Sequence, residues 1–163
     1  MQTRTLWSVV YFAAGLGLII SLFAAAEFFD AALRQVCSFN SFFSCQLIDQ
    51  SGRTNTLGIP DYAWGIGGFI AILAIAGVSE TRSAVQAWKY TLLAVTTAGV
   101  ALSAYLLYVE LALIGALCLV CAAAYVMGGV SWIGAIALAR RAPGGSLGND
   151  DEADEMAEGM ETV

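Results

Sequence analysis

Four apolar stretches, each about as long as a bilayer is thick, constrain this chain more than anything else in it. A hydrocarbon core of about 30 Å is crossed by about 20 apolar residues in a helix. Such stretches run from about Leu6 to Phe29, Tyr62 to Ser79, Trp88 to Val109 and Gly115 to Ala139, with Leu111 to Gly115 turning into the last of them. Lipid offers no partner to a backbone N–H or C=O, so each stretch is expected to be helical. The expected fold is an all-α, four-helix membrane bundle. Composition agrees: 59% of the 163 residues are hydrophobic, 12% are charged and the mean hydropathy is +0.75. A soluble domain of this length has no interior large enough for that apolar surface. The organisation read from this is one membrane domain over residues 1–141, an outer loop over about 30–61 and a tail over 142–163.

Arg4, an apolar core and Ala24-Ala25-Ala26 imitate a secretory signal with its cleavage site. The apolar run exceeds the roughly 7–15 residues of a signal core, so it reads as an uncleaved first helix. Orientation follows from the basic residues. Arg4, Arg82, Lys89, Arg140 and Arg141 fall on one side of an even number of spans, and only Arg34 and Arg53 fall on the other. The richer side is expected to be cytoplasmic, which puts both termini in the cytoplasm of a multi-pass protein of the cell membrane. The outer loop and the start of the fourth span then face away from the cytoplasm.

The formal charge of −6 is concentrated in the tail, where Asp150, Asp151, Glu152, Asp154, Glu155, Glu158 and Glu161 hold seven of the 13 acids. This segment lacks apolar periodicity and reads as a disordered, solvated end, with a docking role as the alternative. The body is near neutral and its bases are scattered, so nucleic-acid binding is excluded as a reading. Histidine is absent from the chain, which removes the commonest metal ligand and general base.

The chemistry lies in four cysteines. Cys37 and Cys45 bracket the loop segment CSFNSFFSC, and Cys118 and Cys121 form a CLVC motif at the start of the fourth span. All four fall on or near the outer face, where disulfides persist. A C-x-x-C pair sets two sulfurs one helical turn apart and suits dithiol–disulfide cycling, helped by the positive end of a helix. Three readings fit the count: redox exchange between the pairs, two inert structural disulfides, or a tetrathiolate zinc site. Zinc favours two tight pairs on polar loops, whereas here one pair is loose and the other apolar.

The chain resembles the vitamin K epoxide reductase family, including its bacterial and archaeal disulfide-forming members. The resemblance covers about residues 6–139. It rests on Cys37 and Cys45, on Ser51 six residues later, on G-I-P-D-Y-A-W-G from Gly58 to Gly65, and on C-L-V-C-A-A-A-Y from Cys118 to Tyr125. It implies four membrane helices around a quinone of the menaquinone, ubiquinone or vitamin K type, capped by a short helix in the outer loop. It also implies roles. Cys118 and Cys121 match the active-site pair, with Cys121 nearest the quinone. Cys37 and Cys45 match the shuttle pair that meets a thioredoxin-like partner. Tyr125 and Asp61 match the quinone's hydrogen-bonding residues, and Ser51 is grouped with them. Asp61 stands where many relatives carry asparagine; an amide always donates, but a carboxyl donates only when protonated. The plainer readings are a span tyrosine for Tyr125, a turn residue for Ser51 and a helix cap for Asp61 after Pro60. Some relatives carry a fused thioredoxin-like domain, which is not seen here, so the partner is expected to be a separate protein.

The implied activity is a membrane thiol–disulfide oxidoreductase that oxidises the partner and reduces the quinone. The alternatives are reduction of vitamin K epoxide or quinone with the same cysteines, and a non-enzymatic bundle braced by disulfides or zinc.

Overall fold

The computed structural model describes residues 3–30, 32–33, 58–81 and 86–140. Cys37, Cys45, Ser51, the short capping helix expected in the outer loop and the acidic tail lie outside the described residues.

Each of the four apolar stretches forms a helix. They are α1 (Thr3–Phe29), α2 (Asp61–Thr81), α3 (Gln86–Tyr108) and α4 (Leu119–Ala139). All four are long and apolar enough to cross a membrane. Among the described residues no strand extends beyond a single bridge position. The protein is an all-α, multi-pass membrane bundle. α1 packs between α2 and α4, and α3 closes the ring by packing against the other side of both.

Two boundaries differ from the sequence reading. α3 does not end at Val109; it runs into one π-helical turn over Val109–Ile114. The fourth helix begins at Leu119 rather than Gly115. The cause is local. Gly115 takes a left-handed conformation (φ 75°) that few other residues adopt. Its N–H and that of Ala116 both donate to the main-chain carbonyl of Glu110, at 2.9 and 3.2 Å. This closes the π turn and sends the chain out and back before α4 can start. Hydropathy does not register such a break, because every residue across it except Glu110 is apolar or glycine.

The main buried cluster lies at one end of the bundle. Leu6, Trp7, Val10 and Ala14 of α1 meet Phe69, Ile72 and Ala76 of α2, Leu92 of α3, and Ala135 and Leu138 of α4. Small residues let the backbones approach, as is usual between membrane helices. A methyl group added at Gly134 would sit 2.6 Å from Val10 Cγ2, and one at Gly17 would overlap the Phe69 ring. Outward positions carry large apolar side chains, with Phe12, Ile19, Ile70, Val126 and Ile133 all exposed. A helix apolar on all sides is suited to lipid around it.

Three buried hydroxyls are satisfied locally. Ser21, Thr96 and Ser131 return their hydroxyls to the carbonyls of Gly17, Leu92 and Met127 four residues back, at 2.9 to 3.0 Å. Side-chain bonds also cross between helices: Tyr11 donates to Glu80 Oε2 at 2.8 Å, and Trp132 Nε1 donates to Thr97 Oγ1 at 3.0 Å.

Candidate functional site

The end of the bundle opposite the main cluster holds the chemistry. Here α1 finishes in Phe28 and Phe29, whose rings pack at 5.2 and 6.2 Å from that of Tyr62 in the first turn of α2. This aromatic contact fixes the start of α2, and with it Asp61, the helix's first residue. The carboxylate sits at the positive end of the helix dipole, a favourable place for it. Asp61 Oδ1 accepts the N–H of Tyr62 at 2.8 Å. Its Oδ2 faces across the bundle to α4.

α4 opens on a sulfur cap. Cys118 has extended backbone (φ −83°, ψ 117°), and its Sγ accepts the N–H of Cys121 at 3.2 Å. Sulfur here takes the place that serine, threonine or aspartate occupies at most helix starts. Cys118 is therefore the cap itself, one position outside the helix, and is buried, while Cys121 is half-buried. Residues 118, 121 and 125 share one face of α4 by the 3.6-residue period. That face meets Asp61: the Cys121 thiol is directed at Asp61 Oδ2 at 3.9 Å, within the reach of a sulfur donor.

The π turn delivers one more group. Glu110 is fully buried, with 0% of its surface exposed. Its Oε1 accepts the Tyr125 hydroxyl at 2.8 Å, and its Oε2 accepts the backbone N–H of Cys118 at 3.2 Å. Sequence reasoning passed over this residue by ending the third span at Val109, one position short of it. The signal was present, since Glu110 is the only acid between Glu80 and Asp150. An ionisable side chain within a membrane span is a functional candidate by default.

Several of these groups border a cavity between the helices. Asp61, Cys121 and Tyr125 line it together with the apolar Phe69, Ile72 and Leu106. Gly68, Gly99 and Gly128 also line it, and a methyl group added at any of them would meet nothing within 4 Å. The pattern of apolar walls with a few convergent polar groups is the one usual in small-molecule sites. Asp61, Tyr125 and Cys121 are the polar groups that a ligand in the cavity would meet.

The structure thus brings four of the residues singled out in the sequence, Asp61, Cys118, Cys121 and Tyr125, to one place. It gives Asp61 a helix-start position and a cysteine neighbour together.

No solved structure matches the chain closely enough to count as similar. A family model does: that of the vitamin K epoxide reductase family, over residues 8–136. Members of this family use quinones as electron acceptors or substrates. The match runs through all four helices and contains Asp61, Glu110, Cys118, Cys121 and Tyr125, and the chain, a membrane oxidoreductase, belongs to the vitamin K epoxide reductase family.

Proposed function

We propose that this oxidoreductase takes two electrons from a reduced thioredoxin-like protein and passes them to a membrane quinone, thereby supporting disulfide formation outside the cytoplasm. The observation that carries the reading is the contact between Cys121 and Asp61 on the wall of an apolar cavity. A redox thiol, a proton acceptor and a tyrosine hydroxyl converge where a lipid-soluble oxidant would lie.

The steps balance as two thiol–disulfide exchanges and one oxidation. A thiolate of the partner attacks the Cys37–Cys45 disulfide at Cys37 and releases Cys45 as a thiolate. The partner's second thiol then resolves the mixed disulfide and leaves oxidised. Cys45 attacks Cys118 of the Cys118–Cys121 disulfide, and Cys121 departs as a thiolate. Cys37 displaces Cys118 in turn and closes the loop disulfide again. The membrane pair now holds both electrons, and its return to the disulfide delivers them to the quinone, which takes up two protons as it becomes the quinol. Each exchange requires a thiolate and an accessible sulfur. Asp61 holds the Cys121 proton during that last step. The acidic tail and both termini are assigned to the cytoplasm on the distribution of basic residues.

The test is direct. The purified full chain in lipid nanodiscs is given a reduced thioredoxin-like protein and a short-chain quinone. Quinone-dependent loss of the partner's thiols is the expected result. Turnover of a quinone epoxide, with no oxidation of protein thiols by quinone, would assign the epoxide in place of the quinone as electron acceptor. Inertness towards both would overturn the reading.

A further inference from the structure

Glu110 is an acid fully buried beside the reactive cysteines, and the electron path above does not use it. Burying a carboxyl in an apolar bundle is costly, so its position calls for a return in function. Holding the π turn is not that return. The turn is closed by the main-chain carbonyl of Glu110, which accepts from Gly115 and Ala116 and which any residue would supply. The side chain is engaged elsewhere: Oε2 with the Cys118 N–H and Oε1 with the Tyr125 hydroxyl. A π turn is itself a rare device, found mostly where a side chain must be aimed.

We propose that Glu110 is a positioning residue that couples the capping cysteine of α4 to the cavity tyrosine, one carboxyl oxygen fixing the backbone of Cys118 and the other fixing the direction of the Tyr125 hydroxyl. The arithmetic of donors gives this consequences. Tyrosine has one hydroxyl proton, and Tyr125 gives it to Glu110. Towards the cavity Tyr125 then offers lone pairs, which suit a ligand's O–H rather than its C=O. Changes at the sulfur end and changes at the tyrosine end are transmitted through the same carboxyl group. Glutamine is the informative substitute. It has one acceptor oxygen where glutamate has two, so it serves the Cys118 N–H or the Tyr125 O–H but not both.

The first arm of the test needs no quinone. The full chain in nanodiscs is reduced with dithiothreitol, and alkylation of Cys118 by N-ethylmaleimide is followed by residue-resolved mass spectrometry. Tyr125→Phe leaves Glu110 Oε1 without its donor. It is expected to change the Cys118 rate by about threefold or more, the scale of coupling between residues in one hydrogen-bond network. Glu110→Gln is expected to change it as well. In the E110Q background, Tyr125→Phe should have a smaller effect than it has alone. A wild-type rate in Y125F, a wild-type rate in E110Q, or full additivity in the double variant would each overturn the proposal. Should E110Q fold poorly, Glu110→Asp, whose carboxyl is one methylene too short to span both partners, carries the same expectations.

The second arm rests on the quinone reading. The KM for a short-chain quinone should shift in E110Q, and that shift should vanish when Tyr125 is already phenylalanine. An equal shift in both backgrounds counts against the coupling. A wild-type chain that reduces no quinone would overturn the proposed function alone, because the alkylation arm stands without it.

Discussion

The Cys121 thiol and the Asp61 carboxylate face each other at 3.9 Å across the gap between α4 and α2. Each is fixed by its own helix start, so their separation is a property of the bundle rather than of two mobile side chains. A carboxylate aimed at a thiol is an acceptor for its proton, and an amide in the same place is a poor one. Asp61→Asn should therefore leave quinone binding close to normal, since an amide donates to a carbonyl at any pH. The rate of quinone reduction should fall by about 100-fold, the low end of the range for a general base. Single-turnover stopped-flow measurements separate the two quantities. A large rise in KM with an unchanged rate would assign Asp61 to binding instead.

Cys121→Ala removes the sulfur that departs when Cys45 attacks Cys118. With Cys118 as the sole remaining thiol of the pair, its thiolate can attack Cys45 of the loop disulfide and release Cys37 as a thiolate. No Cys121 thiol is then present to resolve the product. A Cys45–Cys118 disulfide is expected to accumulate, visible by mass spectrometry of the unreduced protein, and quinone reduction should cease. Ordinary turnover in this variant would sink the assigned order of the sulfurs.

Gly134→Ala tests the close approach of α1 and α4. The new methyl would lie 2.6 Å from Val10 Cγ2, and Val10 is fully buried and stiff at its branched carbon. The cost should be about 1–3 kcal/mol of stability. Thermal unfolding in detergent measures it, and Val10→Ala in the same chain should return most of the loss. Activity at low temperature should be unaffected in both, as the contact lies far from the cysteines.

Gly128→Leu separates stability from access. Gly128 is a helix-interior glycine with open cavity beside it. Leucine should raise helix stability by up to about 1 kcal/mol while filling space a ligand needs. The expected pairing is an equal or higher melting temperature with a quinone KM raised by about tenfold, equivalent to roughly 1.4 kcal/mol. An unchanged KM would show that this wall of the cavity is not used.

Hydropathy alone located all four helices, because lipid demands length and apolarity and both are written residue by residue. The C-x-x-C spacing likewise exposed Cys118 and Cys121 without help from tertiary structure. Asp61 and Tyr125 were reached only through family resemblance, since nothing in their neighbours distinguishes a cavity tyrosine from an ordinary one. Glu110 was passed over for a different reason. Its inward aim depends on the π turn, which shifts the helical register by one residue, and on the left-handed Gly115 that ends it. Both are matters of backbone geometry that apolar periodicity does not encode. The start of α4 was misjudged by four residues on the same account. Helices apolar on every side also conceal which face meets which neighbour, so the contact between α2 and α4 at Asp61 and Cys121 could not be read in advance.

The placement of the main buried cluster at one end has a consequence of its own. The bundle is made like a tuning fork, clamped at the base by Val10, Ala76, Leu92 and Leu138, with the site between its prongs. Spreading the prongs to admit a bulky, lipid-soluble molecule leaves the clamp untouched. The chain can then open at every catalytic cycle without approaching its own unfolding, because the contacts that open and the contacts that hold are different contacts.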